Sequence, residues 1–133
     1  MHEDAEQIRR TLSEYSHLCD DGRFEELADL FTSDARMLML DREVEGRQAI
    51  ADLLAQVLPD GARGVHMTAN SLVDVNDSEA RVTTDYLFVR PFVEGPKIVA
   101  AGRYYDRLRR DEDRWRFSER KITQVAQGGG AGS

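Results

Sequence analysis

The residues of this sequence best placed to do chemistry are His66 and Asp20. Asp20 ends the first helical pattern of the chain, and His66 lies at the start of the first long strand pattern. A carboxylate that holds one ring nitrogen of an imidazole fixes its tautomer and orientation, and it makes the other nitrogen a better proton acceptor. We therefore predict that the two residues form a pair that removes a proton from carbon beside an activating group.

Both residues also have structural interpretations that stay open at this stage. His66 could be a hydrogen-bonded histidine of the core, and Asp20 could stabilise the turn into the next helix. Tyr15 lies on the buried face of the first helix and could be a core residue. Alternatively Tyr15, Tyr86 or Tyr104 could hold a substrate oxygen or donate a proton to a leaving group.

Composition and charge exclude several functional classes. A net charge of −7 argues against binding to nucleic acid, which needs clustered lysine and arginine. The arginines near the C-terminus alternate with acidic residues, and we expect them to lie on exposed strand faces. Three scattered histidines and one cysteine, Cys19, do not predict a metal site, and the sequence contains no cofactor-binding loop, so we expect neither metal nor cofactor. No apolar run is long enough to cross a membrane.

Three amphipathic segments in the first half predict helices. The first carries its apolar residues at helical spacing and ends at Asp20-Asp21-Gly22. The second runs from Phe24 to Phe31 and ends near residues 32–34. A short strand is expected over residues 36–40, and Gly46 precedes a third helix that ends at Pro59-Asp60-Gly61.

The second half has the period of strands. Four strands are predicted, over Val65–Val75, Ala80–Val89, Ile98–Leu108 and Trp115–Val125. Helices followed by strands indicate an α+β fold, with three N-terminal helices packed on a curved, mainly antiparallel sheet. Such a sheet leaves a cone-shaped hollow suited to a small molecule.

Strand alternation assigns side chains to the two faces of the predicted sheet. One face of the first long strand, and the corresponding faces of the next two, turn toward the hollow: His66, Thr68, Asn70, Leu72, Thr84, Tyr86 and Tyr104. Asn70, Thr84, Tyr86 and Tyr104 are therefore the candidate substrate-binding residues. The opposite face carries Met67, Ala69, Ser71 and Val73, with Val99 and Ala101. This face is too apolar for full exposure, and we expect a second copy to cover it in a homodimer or homotrimer.

Four stretches of the sequence carry a resemblance to a known family. They are YSHLCDDGRFEELADLFTSDARM, VEGRQAI, GVHMTANSLVDV and AAGRYYDRLRRDEDRWRFSERKI. Together they resemble the SnoaL-like family of the nuclear-transport-factor-2-like (NTF2-like) superfamily. The resemblance implies a cone-shaped α+β barrel over nearly the whole chain.

The resemblance also implies a chemistry. Scytalone dehydratase, bile-acid 7α-dehydratase and hexachlorocyclohexane dehydrochlorinase are similar in using a His and Asp pair placed as His66 and Asp20 are here. Tyr15 matches a tyrosine of the bile-acid enzyme, whereas Thr84 stands near the position of a second histidine in scytalone dehydratase. We expect a cofactor-independent dehydratase-type lyase acting on a hydrophobic, cyclic small molecule. The alternatives are an isomerase or cyclase with the same base, or a non-catalytic module that binds a ligand or partner.

Domain organisation and location follow from length and composition. The sequence predicts one domain over residues 1–127 and a flexible, glycine-rich tail over residues 128–133. The first ten residues have neither a basic start nor an apolar stretch, so we expect no secretory signal. A cytoplasmic location is expected by default.

Overall fold

The structure is a computed structural model that describes residues 2–125. Its helices are α1 (His2–Asp20), α2 (Phe24–Ala28) and α3 (Arg47–Val57), followed by a short 3₁₀ helix (Asp60–Ala62). Its strands are β1 (Phe31–Met39), β2 (Arg42–Glu45), β3 (Val65–Asn76), β4 (Glu79–Arg90), β5 (Lys97–Asp111) and β6 (Arg114–Gln124). The predicted tail over 128–133 lies outside the described residues, and the single domain over 1–127 stays a prediction.

The six strands form one open sheet in the order β2-β1-β6-β5-β4-β3. Neighbouring strands are antiparallel except β1 and β6, which run parallel. The helices pack on one face of this sheet and bury the apolar side of α1 and of α3 against it. The predicted α+β fold, with three helices on a curved and mainly antiparallel sheet, is confirmed. None of the described helices has the length and apolar character needed to span a bilayer.

The end of α1 is fixed by its last turn. Gly22 has a φ of 71°, and its amide donates to the carbonyl of Cys19, while the amide of Arg23 donates to the carbonyl of Leu18. This pair of hydrogen bonds is a Schellman motif, in which a left-handed glycine satisfies the last carbonyls of a helix. The motif places Asp20 in the final turn of α1.

The boundary between the second helix and the first strand differs from the prediction. The helix predicted to extend to Phe31 ends at Ala28, and Phe31 begins β1. Parallel pairing explains the change, because the amide of Phe117 in β6 donates to the carbonyl of Leu30 at 2.9 Å. The four-residue strand β2, which the sequence analysis did not predict, is held by antiparallel pairing with β1.

A bulge in β3 changes the face on which several side chains lie. The register with β4 shifts between Ala69 and Leu72, and Asn70 adopts a φ of 58°. Asparagine tolerates this left-handed conformation better than most residues. Leu72 was predicted to share a face with His66, but it is 68% exposed on the outer face. Conversely, Ser71 and Val73 were predicted outside and turn toward the helices.

Candidate active site

Asp20 and His66 are in direct contact. The Nδ1 atom of His66 lies 2.6 Å from Oδ1 of Asp20, and both side chains are largely buried. The backbone amide of His66 also donates to the carboxylate, at 3.1 Å to Oδ1 and 3.0 Å to Oδ2. An ionised carboxylate only accepts hydrogen bonds, so in a neutral imidazole Nδ1 carries the proton and Nε2 has the free lone pair.

The local structure accounts for this contact. The Schellman motif places Asp20 at the end of α1, and β3 begins beside that helix end. His66 lies opposite Phe88 in the β3–β4 register, and the two rings stack at 4.4 Å with an interplanar angle of 26°. The carboxylate and the phenyl ring together hold the imidazole in one orientation.

His66 lines a cavity of about 330 Å³ between the helices and the sheet. The inner end is formed by fully buried residues of α1, α3 and β5, which are Tyr15, Cys19, Leu54 and Tyr104. The mouth is formed by the more exposed Leu40, Val57 and Val99. Apolar and aromatic walls with a few polar groups are typical of small-molecule sites. Nδ1 is occupied by Asp20, so Nε2 is the ring nitrogen available to a molecule in this cavity.

All three predicted tyrosines line the same cavity. Tyr15, Tyr86 and Tyr104 all contribute to its walls, and the rings of Tyr86 and Tyr104 stack at 4.6 Å. The hydroxyl of Tyr86 donates to the carbonyl of Thr123 at 3.2 Å. Burial raises the pKa of Tyr15 and of Tyr104 well above the ordinary value for a phenol. These side chains therefore stay neutral and can act as hydrogen-bond donors.

Two predicted substrate-binding residues lie outside the cavity. The bulge turns Asn70 outward, where its Nδ2 donates to the carboxylate of Asp85 at 3.0 Å. Thr84 is buried, but its hydroxyl is 2.9 Å from that of Ser71, and neither lines the cavity. The structure thus corrects the placement of Asn70, because strand alternation does not account for the residue that the bulge inserts. Thr84 lies on the predicted inner face, but it packs beside Ser71 and away from the cavity.

The aromatic end of the cavity rests on a buried ion pair that the sequence analysis missed. Arg120 is 1% exposed, and its Nε and Nη2 donate to the two oxygens of Asp106, each at 2.8 Å. Its guanidinium carbon lies 4.2 Å from the ring centroid of Tyr15 and 3.8 Å from that of Tyr104. Burial disfavours the Arg120 cation, but the Asp106 carboxylate outweighs it and the pKa of Arg120 is raised.

The prediction that the arginines near the C-terminus lie on exposed strand faces was therefore only partly correct. Arg120 was expected on an exposed strand face with its neighbours, yet it points into the core. Asp106 and Arg120 face each other across the β5–β6 hairpin. Pairing the two predicted strands outward from the residues that separate them, 109–114, could have brought these opposite charges together.

A larger depression elsewhere has a different character. It measures about 830 Å³ and lies over α1 and α2, with polar walls that include Glu14, Glu26 and Arg114. Glu14 and Arg114 pair with each other across it at 2.6 Å. No imidazole–carboxylate contact such as that of His66 and Asp20 is present there among the described residues. Within residues 2–125, no three potential ligands cluster as a metal ion would require.

Comparison with known proteins identifies related sequences and folds. The model of the SnoaL-like domain family matches residues 1–121. No curated protein matches the chain. An NTF2-like protein with a cystatin-like fold from Novosphingobium aromaticivorans aligns with a TM-score of 0.84 and 23% identity, covering 96% of this chain and 85% of that one.

Two further solved structures are similar. A protein provisionally named scytalone dehydratase, from the same organism, aligns with a TM-score of 0.80 and 24% identity over 92% of this chain and 85% of its own. A protein from Catenulispora acidiphila, crystallised in complex with S-DNPA, aligns with a TM-score of 0.84 and 24% identity over 93% of this chain and 95% of its own. At these identities the similarity establishes a common fold.

Proposed function

The chain belongs to the SnoaL-like domain family, and we propose that it is a cofactor-independent enzyme that removes a proton from carbon. Its reaction is the elimination of a dehydratase-type lyase, and its substrate is a hydrophobic, cyclic small molecule. Asp20 and His66 are the catalytic pair. The observation that supports this proposal most strongly is the 2.6 Å contact between Nδ1 of His66 and Oδ1 of Asp20, since this imidazole lines a cavity.

The proposed step begins at the free nitrogen of His66. Nε2 takes a proton from the carbon beside a carbonyl, the electron pair of that C–H bond forms the double bond, and the C–O bond to the β-hydroxyl breaks. The imidazolium then gives its proton to the departing hydroxide, which leaves as water. The Asp20 carboxylate stabilises the positive imidazole between these events. General-base catalysis of this kind is worth about 10²- to 10⁴-fold in rate.

The tyrosines have a supporting role in this proposal. Their raised pKa favours hydrogen-bond donation over proton transfer, so Tyr15 or Tyr104 would hold the carbonyl oxygen that gains negative charge. Tyr86, whose hydroxyl already donates to Thr123, would contribute its ring face to substrate binding. Asn70 and Thr84 have no part in this site, because neither lines the cavity.

The cavity supports the substrate class. Its volume of about 330 Å³ suits a molecule of one or two fused rings, and aromatic side chains form much of its wall. The similar protein from Catenulispora acidiphila was crystallised with the small molecule S-DNPA. A ligand held in the cavity of this chain would lie against His66.

The proposed base can be tested without the natural substrate. 5-Nitrobenzisoxazole opens to a coloured nitrophenolate when a base removes the C–H proton of its isoxazole ring, so its turnover reports proton abstraction from carbon. We predict that His66→Ala lowers kcat/KM by about 10²-fold or more. His17→Ala is the matched control, because this exposed histidine of α1 lies outside the cavity. Equal kcat/KM for wild type and His66→Ala would contradict the proposal.

An isomerase or cyclase with the same base would behave identically in that test. The two kinds of reaction are separated by incubating cyclic β-hydroxyketones with the enzyme in D₂O. Loss of water with formation of the conjugated enone indicates the lyase, because elimination removes the proton beside the carbonyl. Deuterium uptake alone indicates an isomerase or cyclase.

We also propose that the chain forms a homodimer or homotrimer in which a second copy covers the outer face of β3, β4 and β5. Met67, Leu72 and Leu87 lie on this face with between 39% and 68% of their surface exposed. Such a cluster is large for a wetted surface. Val99 was predicted on this face as well, but it lies at the register shift between β4 and β5 and lines the mouth of the cavity instead.

The cytoplasmic location stays a prediction.

A further inference from the structure

Arg90 is a charged residue of the cavity that the proposed reaction does not use. It ends β4 and lines the cavity, two residues beyond Phe88, whose ring stacks on His66. Residues two apart on a strand point to the same side and are separated by about 7 Å. Arg90 thus lies next to the stacked pair of rings, on the side of the 3₁₀ helix.

The guanidinium of Arg90 is held but not neutralised. Its Nη2 donates to the carbonyl of Gly61 at 2.8 Å. Its Nε is buried and has no hydrogen-bond partner. Among residues 2–125, no carboxylate lies within 4.0 Å of it. Burying a charged donor without an acceptor is costly, and native structures rarely leave such a group unpaired.

Neighbouring cations show the contrast. Arg63 pairs with Asp60 at 3.2 Å, and Lys97 pairs with Glu94 at 3.5 Å. Both of these pairs lie near Arg90 in the fold, yet neither acid pairs with Arg90. The described walls of the cavity also include no aspartate or glutamate side chain. The cavity therefore contains a cation that no carboxylate of the described residues neutralises.

We propose that Arg90 makes this cavity selective for small molecules that carry a carboxylate on their ring body. A guanidinium binds a carboxylate through charge-assisted hydrogen bonds, and a ligand carboxylate would supply the negative charge that the Arg90 cation lacks. A carboxylate at Arg90 places an attached ring system against Phe88 and His66. That such a ligand is also the substrate rests on the proposed function. The binding of the ligand at Arg90 does not, and it is tested separately.

The test compares two probes that differ in charge and little in shape, naphthalene-2-carboxylate (naphthoate) and naphthalene-2-carboxamide (naphthamide). Their dissociation constants are measured by calorimetry for wild type, Arg90→Gln, Arg90→Lys and Lys97→Gln. Lys97→Gln is the matched control. The Arg90 guanidinium carbon and the Lys97 Nζ lie 5.4 Å and 5.3 Å from the ring centroid of Phe92, but Lys97 pairs with Glu94 and does not line the cavity. The net charge of −7 opposes non-specific attraction of naphthoate.

We expect naphthoate to bind wild type and Lys97→Gln equally, and Arg90→Gln about 10- to 100-fold more weakly. Arg90→Lys should fall between these, because it keeps the charge but loses the planar fork. Naphthamide should bind all four proteins alike. Naphthoate should also shift the imidazole NMR signal of His66, identified by its loss in His66→Gln, which locates the probe in this cavity.

Three results would overturn the inference. They are unchanged naphthoate affinity in Arg90→Gln, equal affinity of wild type for the two probes, and no naphthoate binding to wild type at millimolar concentration. Failure of the proposed reaction is separable from these. If His66→Ala keeps full turnover of 5-nitrobenzisoxazole while Arg90→Gln loses naphthoate affinity, the carboxylate site stands and the catalytic pair does not.

Discussion

At the scale of single residues, the hydrogen bonds of the Asp20 carboxylate described above all come from His66. It accepts hydrogen bonds from the ring Nδ1 and from the backbone amide of His66. An ordinary carboxylate at a helix end would be disfavoured by the helix dipole and would turn to solvent. Here the hydrogen bonds offset that cost, and they also hold the imidazole that lines the cavity.

Cys19, one residue before Asp20, gives the prediction at this scale. Burial, with a smaller contribution from the Asp20 carboxylate, raises the pKa of its thiol from 9.0 to about 12. Above about pH 9 the unfolded chain loses this proton and the folded protein keeps it, so the free energy of unfolding falls as the pH rises. The expected slope from this group is about 1.4 kcal/mol per pH unit up to about pH 12.

Urea unfolding at about pH 8 and about pH 10 measures this slope. Cys19→Ala removes the titrating thiol and should show a smaller loss of stability over the same interval. The same loss in both proteins would mean that Cys19 is not protected by the fold.

Several site residues could be predicted from residue type and spacing, and others could not. Helical and strand periods in the sequence predicted the positions of five residues that lie at or around one cavity: Asp20, His66, Tyr15, Tyr86 and Tyr104. Their roles in catalysis and binding stay predictions. Arg90 was not identified, because the absence of a partner for a charged group is visible only in three dimensions.

At the scale of secondary-structure elements, the end of α1 decides where Asp20 lies. Gly22 needs its left-handed φ of 71°, and a Cβ there would be 2.2 Å from the guanidinium of Arg63. We predict that Gly22→Ala lowers the free energy of unfolding by about 1–2 kcal/mol. Gly61→Ala is the matched control, since a Cβ at Gly61 meets nothing within 4 Å. Urea unfolding of both variants measures the difference, and equal stabilities would exclude the proposed constraint on the helix end.

The elements were predicted more accurately in their interiors than at their ends. The four long strands and α3 follow from hydrophobic period and turn residues. The short α2 and the start of β1 do not, because pairing with β6 converts residues 31–34 from an apparent helix end into a strand. The β3 bulge at Asn70 has the same origin, since it is defined by the register against β4. Long-range pairing is not encoded in a local period.

At the scale of the whole molecule, the open sheet exposes an apolar patch on an outer face that also carries ion pairs, such as that of Arg103 with Asp85. Leu87 lies at its centre, since it pairs in register with Met67 on one side and Ala101 on the other. Burial of this face against a second copy would remove apolar surface from water at about 25 cal/mol per Å². The site itself lies on the opposite, helix-covered side of the sheet.

We predict that the wild-type chain is a homodimer or homotrimer and that Leu87→Glu dissociates it. A buried glutamate facing the second copy would carry an uncompensated charge. Val93→Glu is the control, because Val93 is fully exposed in the β4–β5 connection. Light scattering at micromolar concentration gives the masses. A monomeric wild type, or an unchanged mass in Leu87→Glu, would contradict the proposed interface.

The measurement that tests the central claim most directly is a double-mutant cycle on turnover of 5-nitrobenzisoxazole. It compares kcat/KM for wild type, Asp20→Asn, His66→Ala and the double variant. If Asp20 acts through His66, each single change lowers kcat/KM, by about 10²-fold or more for His66→Ala, and the double variant is no slower than His66→Ala alone. Effects that multiply in the double variant, or full activity of His66→Ala, would contradict an Asp20–His66 catalytic pair.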